Sequence, residues 1–141
     1  VNQEHFPDGS LRILDLQEYT PCSKEFQITW NYENDSELFT LWSLVCHLRQ
    51  NYGKNVSITL NMPFCPHSRM DRVKEKQEVF TLKYFAEFIN SLEFDKVIVR
   101  DAHSYVSLAL INNVESEDIT KEDTASSVIS EITFSLFMYT T

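Results

Sequence analysis

The sequence predicts an α/β fold, a three-layer arrangement of a mainly parallel sheet with helices on both faces. Apolar β-like runs and amphipathic helical stretches succeed one another as strand, helix, strand, helix, strand, helix, the order that builds right-handed βαβ units. The composition, 43% hydrophobic, 13% aromatic and 23% charged, is that of a globular chain with an aromatic-rich core. At 141 residues there is room for one domain and too little for two of ordinary size. The expectation is therefore a single domain over residues 1–141, with 115–141 as an acidic linker and terminal segment.

The runs LRILDL (11–16) and EFQITWNY (25–32) are rich in β-branched and aromatic residues and flank the turn-like YTPCSK, so they read as two strands of a hairpin. NDSE then supplies a helix start with Asp35 or Ser36 as N-cap. Leu38, Leu41, Trp42, Val45 and Leu48 recur at helical spacing until Gly53 offers a stop, giving a helix over 36–52. NVSITLNM is a strand that two prolines forbid from continuing in a central sheet. After DRVKEKQE, the positions Leu82, Phe85, Ala86 and Ile89 define a second amphipathic helix ending near Leu92. DKVIVRD is a third strand, and HSYVSLALI has helical spacing in Val106, Ala109 and Leu110. Trp42, Phe85 and Phe88 read as core. ESEDITKED is the linker, and the alternation of Ile132, Phe134, Leu136 and Met138 beyond it reads as a weak strand.

The net charge of -9 opposes a nucleic-acid partner, since no basic stripe offsets it, but leaves room for a small anion held by a few placed donors. No apolar run approaches a membrane span, and VNQEHFPDGS is too polar for a signal peptide. Cys22, Cys46 and Cys65 form no C-x-x-C pair, so the chain reads as reduced and cytoplasmic. A first residue other than Met points to a trimmed chain.

Ligands of open parallel sheets sit beyond the carboxyl ends of the strands. Two unusual segments fall there: PFCPHSRMDR after NVSITLNM, and RDAHS after KVIV. If those strands are neighbours, Arg69, Asp101 and His103 line one cleft. Arg69, Asp71 and Arg72 can be an exposed charged turn, or can present guanidinium groups to phosphate or a flat base. Asp101 and His103 suit Mg²⁺ only loosely; otherwise His103 caps or orients the next helix and Asp101 pairs with Arg100 or Arg72. Cys65 and His67 as metal ligands with His103 is the weaker reading beside loop packing. FPDGS is a turn, with Pro7 fixing one φ and Gly9 accepting a positive one. Phe6 is then either a staple onto its own domain or an aromatic platform. No P-loop or Gly-rich dinucleotide loop occurs.

In order, FPDGS, ENDSELFTLWSLVCHLR, MPFCPHSRMDR, FTLKYFAEFINSL and VIVRDAHS resemble the N-terminal domain of ribose-phosphate pyrophosphokinase, from about Phe6 to about Val114. The Phe-x-Asp-Gly turn, the Pro-Phe/Tyr-x-Pro-x-x-Arg-x-Asp loop and the Asp-x-His strand end are together fairly specific. The resemblance implies transfer of the β,γ-diphosphoryl group of ATP to the 1-hydroxyl of ribose 5-phosphate, with Mg²⁺. It implies ATP binding by Phe6, Asp8, Arg69, Asp71 and Arg72, a metal-and-phosphate side at Asp101 and His103, and a homo-oligomer in which Phe6 and Asp8 reach a neighbour's adenine.

Departures narrow this. Ser10 and Met70 stand where the family usually has Glu and Gln, and Asn112 and Ser116 do not match its later acidic residues. The late start resembles the short form of phage or mobile elements. The ribose-phosphate loop and catalytic flap of the family's second domain have no counterpart, so no catalytic residue is assigned. The expectation is an ATP-side domain, inactive alone, that meets ribose 5-phosphate only with a second domain. The alternatives are a non-catalytic regulatory or interaction domain of the same fold, and a nucleotide or sugar-phosphate binding domain with unrelated chemistry.

Overall fold

The computed structural model describes residues 1–19, 24–117 and 130–134. The chain divides into two compact units, Val1–Ile58 with Ile129–Thr141, and Thr59–Val128.

The first unit opens with a hairpin. Strand β1 (Asn2–His5) pairs antiparallel with β2 (Leu11–Leu14), from Asn2 opposite Leu14 to His5 opposite Leu11. The expected hairpin between residues 11–16 and 25–32 is thus replaced by one around FPDGS. Sequence reasoning missed β1 because NQEH has no β-branched or aromatic residue. The turn itself is as expected: Gly9, at φ 84°, donates to the Phe6 carbonyl at 2.8 Å, and the Phe6 amide donates to the Ser10 carbonyl at 2.9 Å.

Strand β3 (Glu25–Trp30) buries alternate residues Phe26, Ile28 and Trp30. It pairs parallel with β7 (Ser130–Phe134), Ile28 opposite the buried Ile132, so the part of the predicted C-terminal strand at 132–134 is present. Helix α1 (Glu37–Tyr52) turns Leu41, Leu44, Val45 and Leu48 inward and stops at Gly53, whose φ of 102° favours glycine and whose amide donates to the Arg49 carbonyl at 3.1 Å. Trp42 is not core: it is 46% exposed. Tyr19, Phe26 and Tyr52 pack as an aromatic cluster, with Phe26 centroids 5.1 and 4.9 Å from the two tyrosines.

Strand β4 (Ser57–Met62) begins in the first unit, where the Ser57 amide donates to the Lys24 carbonyl at 2.8 Å, and ends in the second. In the second unit it pairs parallel with β5 (Lys96–Val99), Met62 opposite Val99. Strand β5 pairs parallel with β6 (Val114–Ser116), Val97 opposite Val114. Part of the predicted acidic linker is therefore a strand. Its three residues are too few to show alternation, and Glu115 meets Lys96 across the ladder at 2.7 Å. Helix α2 (Thr81–Ser91) buries Leu82, Phe85, Ala86 and Ile89 as its period predicts, with Phe88 half-buried, and α3 (Tyr105–Leu110) is short. In the first unit β7 lies parallel beside β3, and in the second β4, β5 and β6 lie parallel in that order, with helices between successive strands, and this is the predicted α/β class. Cys22, residues 118–123 of the linker, Leu136 and Met138 lie outside the described residues. Among the described residues no helix is long and apolar enough to cross a membrane.

Candidate functional site

The two charged loops leave neighbouring parallel strands at the same level. Met62 and Val99 are register partners, and the Arg100 amide donates to the Met62 carbonyl at 3.1 Å as a last rung. Beyond it, Pro63 and Pro66 have no amide hydrogen, so β4 cannot continue.

The first loop is pinned from below. Cys65 is 3% exposed and Pro66 is buried; the Ser68 hydroxyl donates to the Cys65 carbonyl at 2.7 Å. His67 takes a left-handed conformation, φ 64°, and its ring lies 5.5 Å from that of Phe85. Burial pushes the Cys65 thiol pKa up, against smaller opposite pulls from Ser68 and Ser107, which disfavours the thiolate. Among the described residues no cluster of three His, Cys, Asp or Glu side chains could hold a metal ion. Cys65 and His67 are loop anchors.

With its base anchored, the loop displays Arg69 outward, and Arg69 makes no hydrogen bond or ion pair among the described residues. Asp71 is the hinge of the arrangement. It accepts from Arg72 Nε at 2.9 Å and from the Ser104 hydroxyl at 3.2 Å, which ties the first loop to the second. The Arg72 guanidinium, helped by Ser104, holds the Asp71 carboxyl below its ordinary value against a push from burial, and Asp71 in turn raises the Arg72 pKa. Arg72 is thereby the partner of Asp71, not of Asp101.

In the second loop Asp101 pairs with His103, Oδ2 to Nε2 at 3.1 Å, with both side chains at least half exposed. The expected pairing of Asp101 with Arg100 or Arg72 does not occur. Nor does His103 cap the next helix: Ser104 does, its hydroxyl accepting from the Val106 amide at 3.2 Å. Ser104 is the residue that sequence reasoning missed as a member of the site. Its signal was a serine immediately before a helical run. One carboxylate and one imidazole fit Mg²⁺ only as an ion that keeps its waters and takes phosphate oxygens from a nucleotide, with Asp101 as the protein oxygen.

Phe6 and Asp8 belong to the first unit. Phe6 is 49% exposed, so it does not serve as a buried staple. Asp8 accepts from both the amide (2.9 Å) and the hydroxyl (2.5 Å) of Ser10, and these bonds hold its carboxyl below the ordinary value. A cavity of about 310 Å³ lies elsewhere, at the amino end of β5 among Asn90, Glu93, Asp95, Asn112 and Asn113. Its amides serve structure: Asn90 donates to the Leu110 carbonyl at 2.9 Å and accepts from the Asn112 amide at 2.8 Å, while Asn113 donates to the Phe94 carbonyl at 3.1 Å.

No protein-family model and no curated protein matches the sequence. Among solved structures, the chain is similar to phosphoribosylpyrophosphate synthetase from Mycobacterium smegmatis, with a TM-score of 0.63 and 16% identity over 82% of this chain and 39% of that one. The likeness is one of fold, and the chain spans well under half the length of that protein.

Proposed function

We propose that the loops after β4 and β5 bind the phosphates of ATP, as the ATP side of a cytoplasmic ribose-phosphate diphosphokinase whose other substrate is ribose 5-phosphate. The observation that carries this reading is the Ser104 to Asp71 hydrogen bond, which joins two charged loops leaving one edge of a parallel sheet. The fold likeness to a phosphoribosylpyrophosphate synthetase adds support.

Diphosphoryl transfer asks the protein for cations and positioning rather than for a nucleophile. Arg69 offers a guanidinium on an anchored loop, suited to bidentate contact with phosphate oxygens. Arg72 is turned by Asp71, and Asp71 is held by Ser104, so this pair positions the loop edge. Mg²⁺, when bound with the nucleotide, supplies charge neutralisation, and Asp101 would hold it. Asp101 also orients the His103 ring through Nε2, and Nδ1 is the nitrogen left to meet phosphate. The exposed Phe6 serves as a platform for the adenine of a second copy, which makes the working form a homo-oligomer.

Mg-ATP titrated into wild type and Arg69→Ala by calorimetry tests the reading. Loss of a hydrogen bond to a charged group weakens binding by about 1.5–3 kcal/mol. Equal affinities would return the loop to a solvated turn.

A non-catalytic interaction domain of the same fold is the second reading. Asp8 favours it, because its carboxylate is engaged by Ser10 within its own turn. No detectable Mg-ATP binding by the wild type would select this reading.

A further inference from the structure

We propose that Tyr105 is the platform on which the base of a bound nucleoside triphosphate stacks. The proposal rests on the reading of the loops after β4 and β5 as a phosphate site and adds to it the surface that these loops give to the base. Phosphate donors alone do not distinguish a nucleotide from an inorganic polyphosphate, so a nucleotide site also needs a flat apolar surface within reach of the same loops. On that reading Phe6 of a second copy covers one face of the base. The other face needs a partner from the loops themselves.

Tyr105 is 91% exposed, well above the 60% of Val79, the next most exposed large hydrophobic residue among those described. Neither its ring nor its hydroxyl meets a hydrogen-bond or ring partner among the described residues. A single exposed aromatic is ordinary on a protein surface, but the backbone under this one is pinned. Ser104 before it is 5% exposed; its hydroxyl accepts from the Val106 amide and donates to Asp71, each at 3.2 Å. The fully buried Ser107 donates its hydroxyl to the Ser104 carbonyl at 2.6 Å. Tyr105 thus faces outward between two buried serines, on a segment tied to the first loop through Asp71. It is the first residue of α3, and helical side chains lean toward the amino end, which sets the ring toward the loop that carries Asp101 and His103. A tyrosine ring has only two side-chain torsions, so on a fixed backbone it loses little freedom when a base settles on it. Every base has a π-face, so the stack contributes affinity for nucleoside triphosphates as a class and not for adenine alone.

Calorimetric titration of the full chain with Mg-ATP, and with Mg-tripolyphosphate, which has the phosphates and no base, tests this. Tyr105→Ala should weaken Mg-ATP binding by about 5- to 140-fold, the range for losing one base–aromatic stack, and leave tripolyphosphate affinity unchanged. Mg-GTP should lose as much as Mg-ATP. Tyr105→Phe, which keeps the ring and removes the hydroxyl, should bind ATP as the wild type does. At so exposed a position both variants should keep the wild-type thermal midpoint. Arg69→Ala, in contrast, should lower affinity for both ligands, so the phosphate reading is checked separately. A wild type that binds neither ligand removes that reading and this proposal together. With ATP binding intact, an unchanged affinity in Tyr105→Ala, as a contact reserved for a protein partner would give, overturns this proposal alone. An equal loss for ATP and tripolyphosphate, or a loss in Tyr105→Phe as large as in Tyr105→Ala, overturns it as well.

Discussion

Two strand-to-helix crossings in this chain use an acid and a serine, and they use them in opposite ways. Between β3 and α1, Glu37 is fully buried and accepts from the Trp30 indole at 2.9 Å and from the Glu33 amide at 3.0 Å. Ser36 beside it makes no cap; its hydroxyl and amide both turn to Asn34. Between β5 and α3 the serine is the buried member. Ser104 caps the helix and ties Asp71, while Asp101 stays outside with His103. Burying a carboxylate is tolerated only when donors satisfy it, so an inward acid with two donors belongs to the fold. An exposed acid that orients an imidazole at a strand's carboxyl end is free to serve a ligand.

Substituting the two acids breaks this comparison most sharply. Glu37→Ala removes the acceptor of the Trp30 indole and of the Glu33 amide, each worth about 1–3 kcal/mol, so urea denaturation should show a loss of about 2–6 kcal/mol. Asp101→Ala should change stability by less than about 0.5 kcal/mol while lowering Mg-ATP affinity in calorimetry. Equal losses of stability would erase the distinction between the two crossings.

Ser104→Ala should come next, at about 1 kcal/mol for the lost cap. Because the same hydroxyl holds Asp71, the variant should also weaken Mg-ATP binding, whereas Ser104→Thr, which keeps the hydroxyl, should restore much of both. A stability loss with unchanged nucleotide affinity would reduce Ser104 to a cap.

The smallest effect concerns pH. The folded-state pKa of Asp71 is depressed, chiefly by Arg72, so the folded protein binds fewer protons there than the unfolded chain. Its contribution is present above the unfolded pKa and is lost as pH falls through the folded one. Asp71→Asn should therefore flatten the acid limb of the stability curve below about pH 4. An unchanged acid limb would show that the Asp71 to Arg72 contact is not maintained in solution.

Elements with local signals were legible in the sequence. The period of Leu82, Phe85, Ala86 and Ile89 located α2, and the prolines after NVSITLNM located the end of β4. Strand β1 was not legible, because NQEH is a strand only through its partner LRIL. Strand β6 escaped for the same reason, its three residues being fixed by β5. Trp42 matched the helical period yet faces outward, since a period near 3.6 defines a stripe's spacing but leaves its edges open. At the site, residue types were legible and partners were not. Asp101 had Arg100 and Arg72 as candidate partners, and three-dimensional placement gives it His103 and gives Arg72 to Asp71. Ser104 had an N-cap signal, but its bond to Asp71 spans 33 residues of sequence.

The central claim is that the loops after β4 and β5 form one phosphate-binding site. Side-chain NMR of the labelled protein during a Mg-ATP titration tests it most directly, by following the Arg69 guanidinium and the His103 ring together. The account predicts that both resonances move along one binding curve and that both shifts shrink in Ser104→Ala. Arg69 and His103 signals that stay still at saturating Mg-ATP, or that follow different curves, would contradict it.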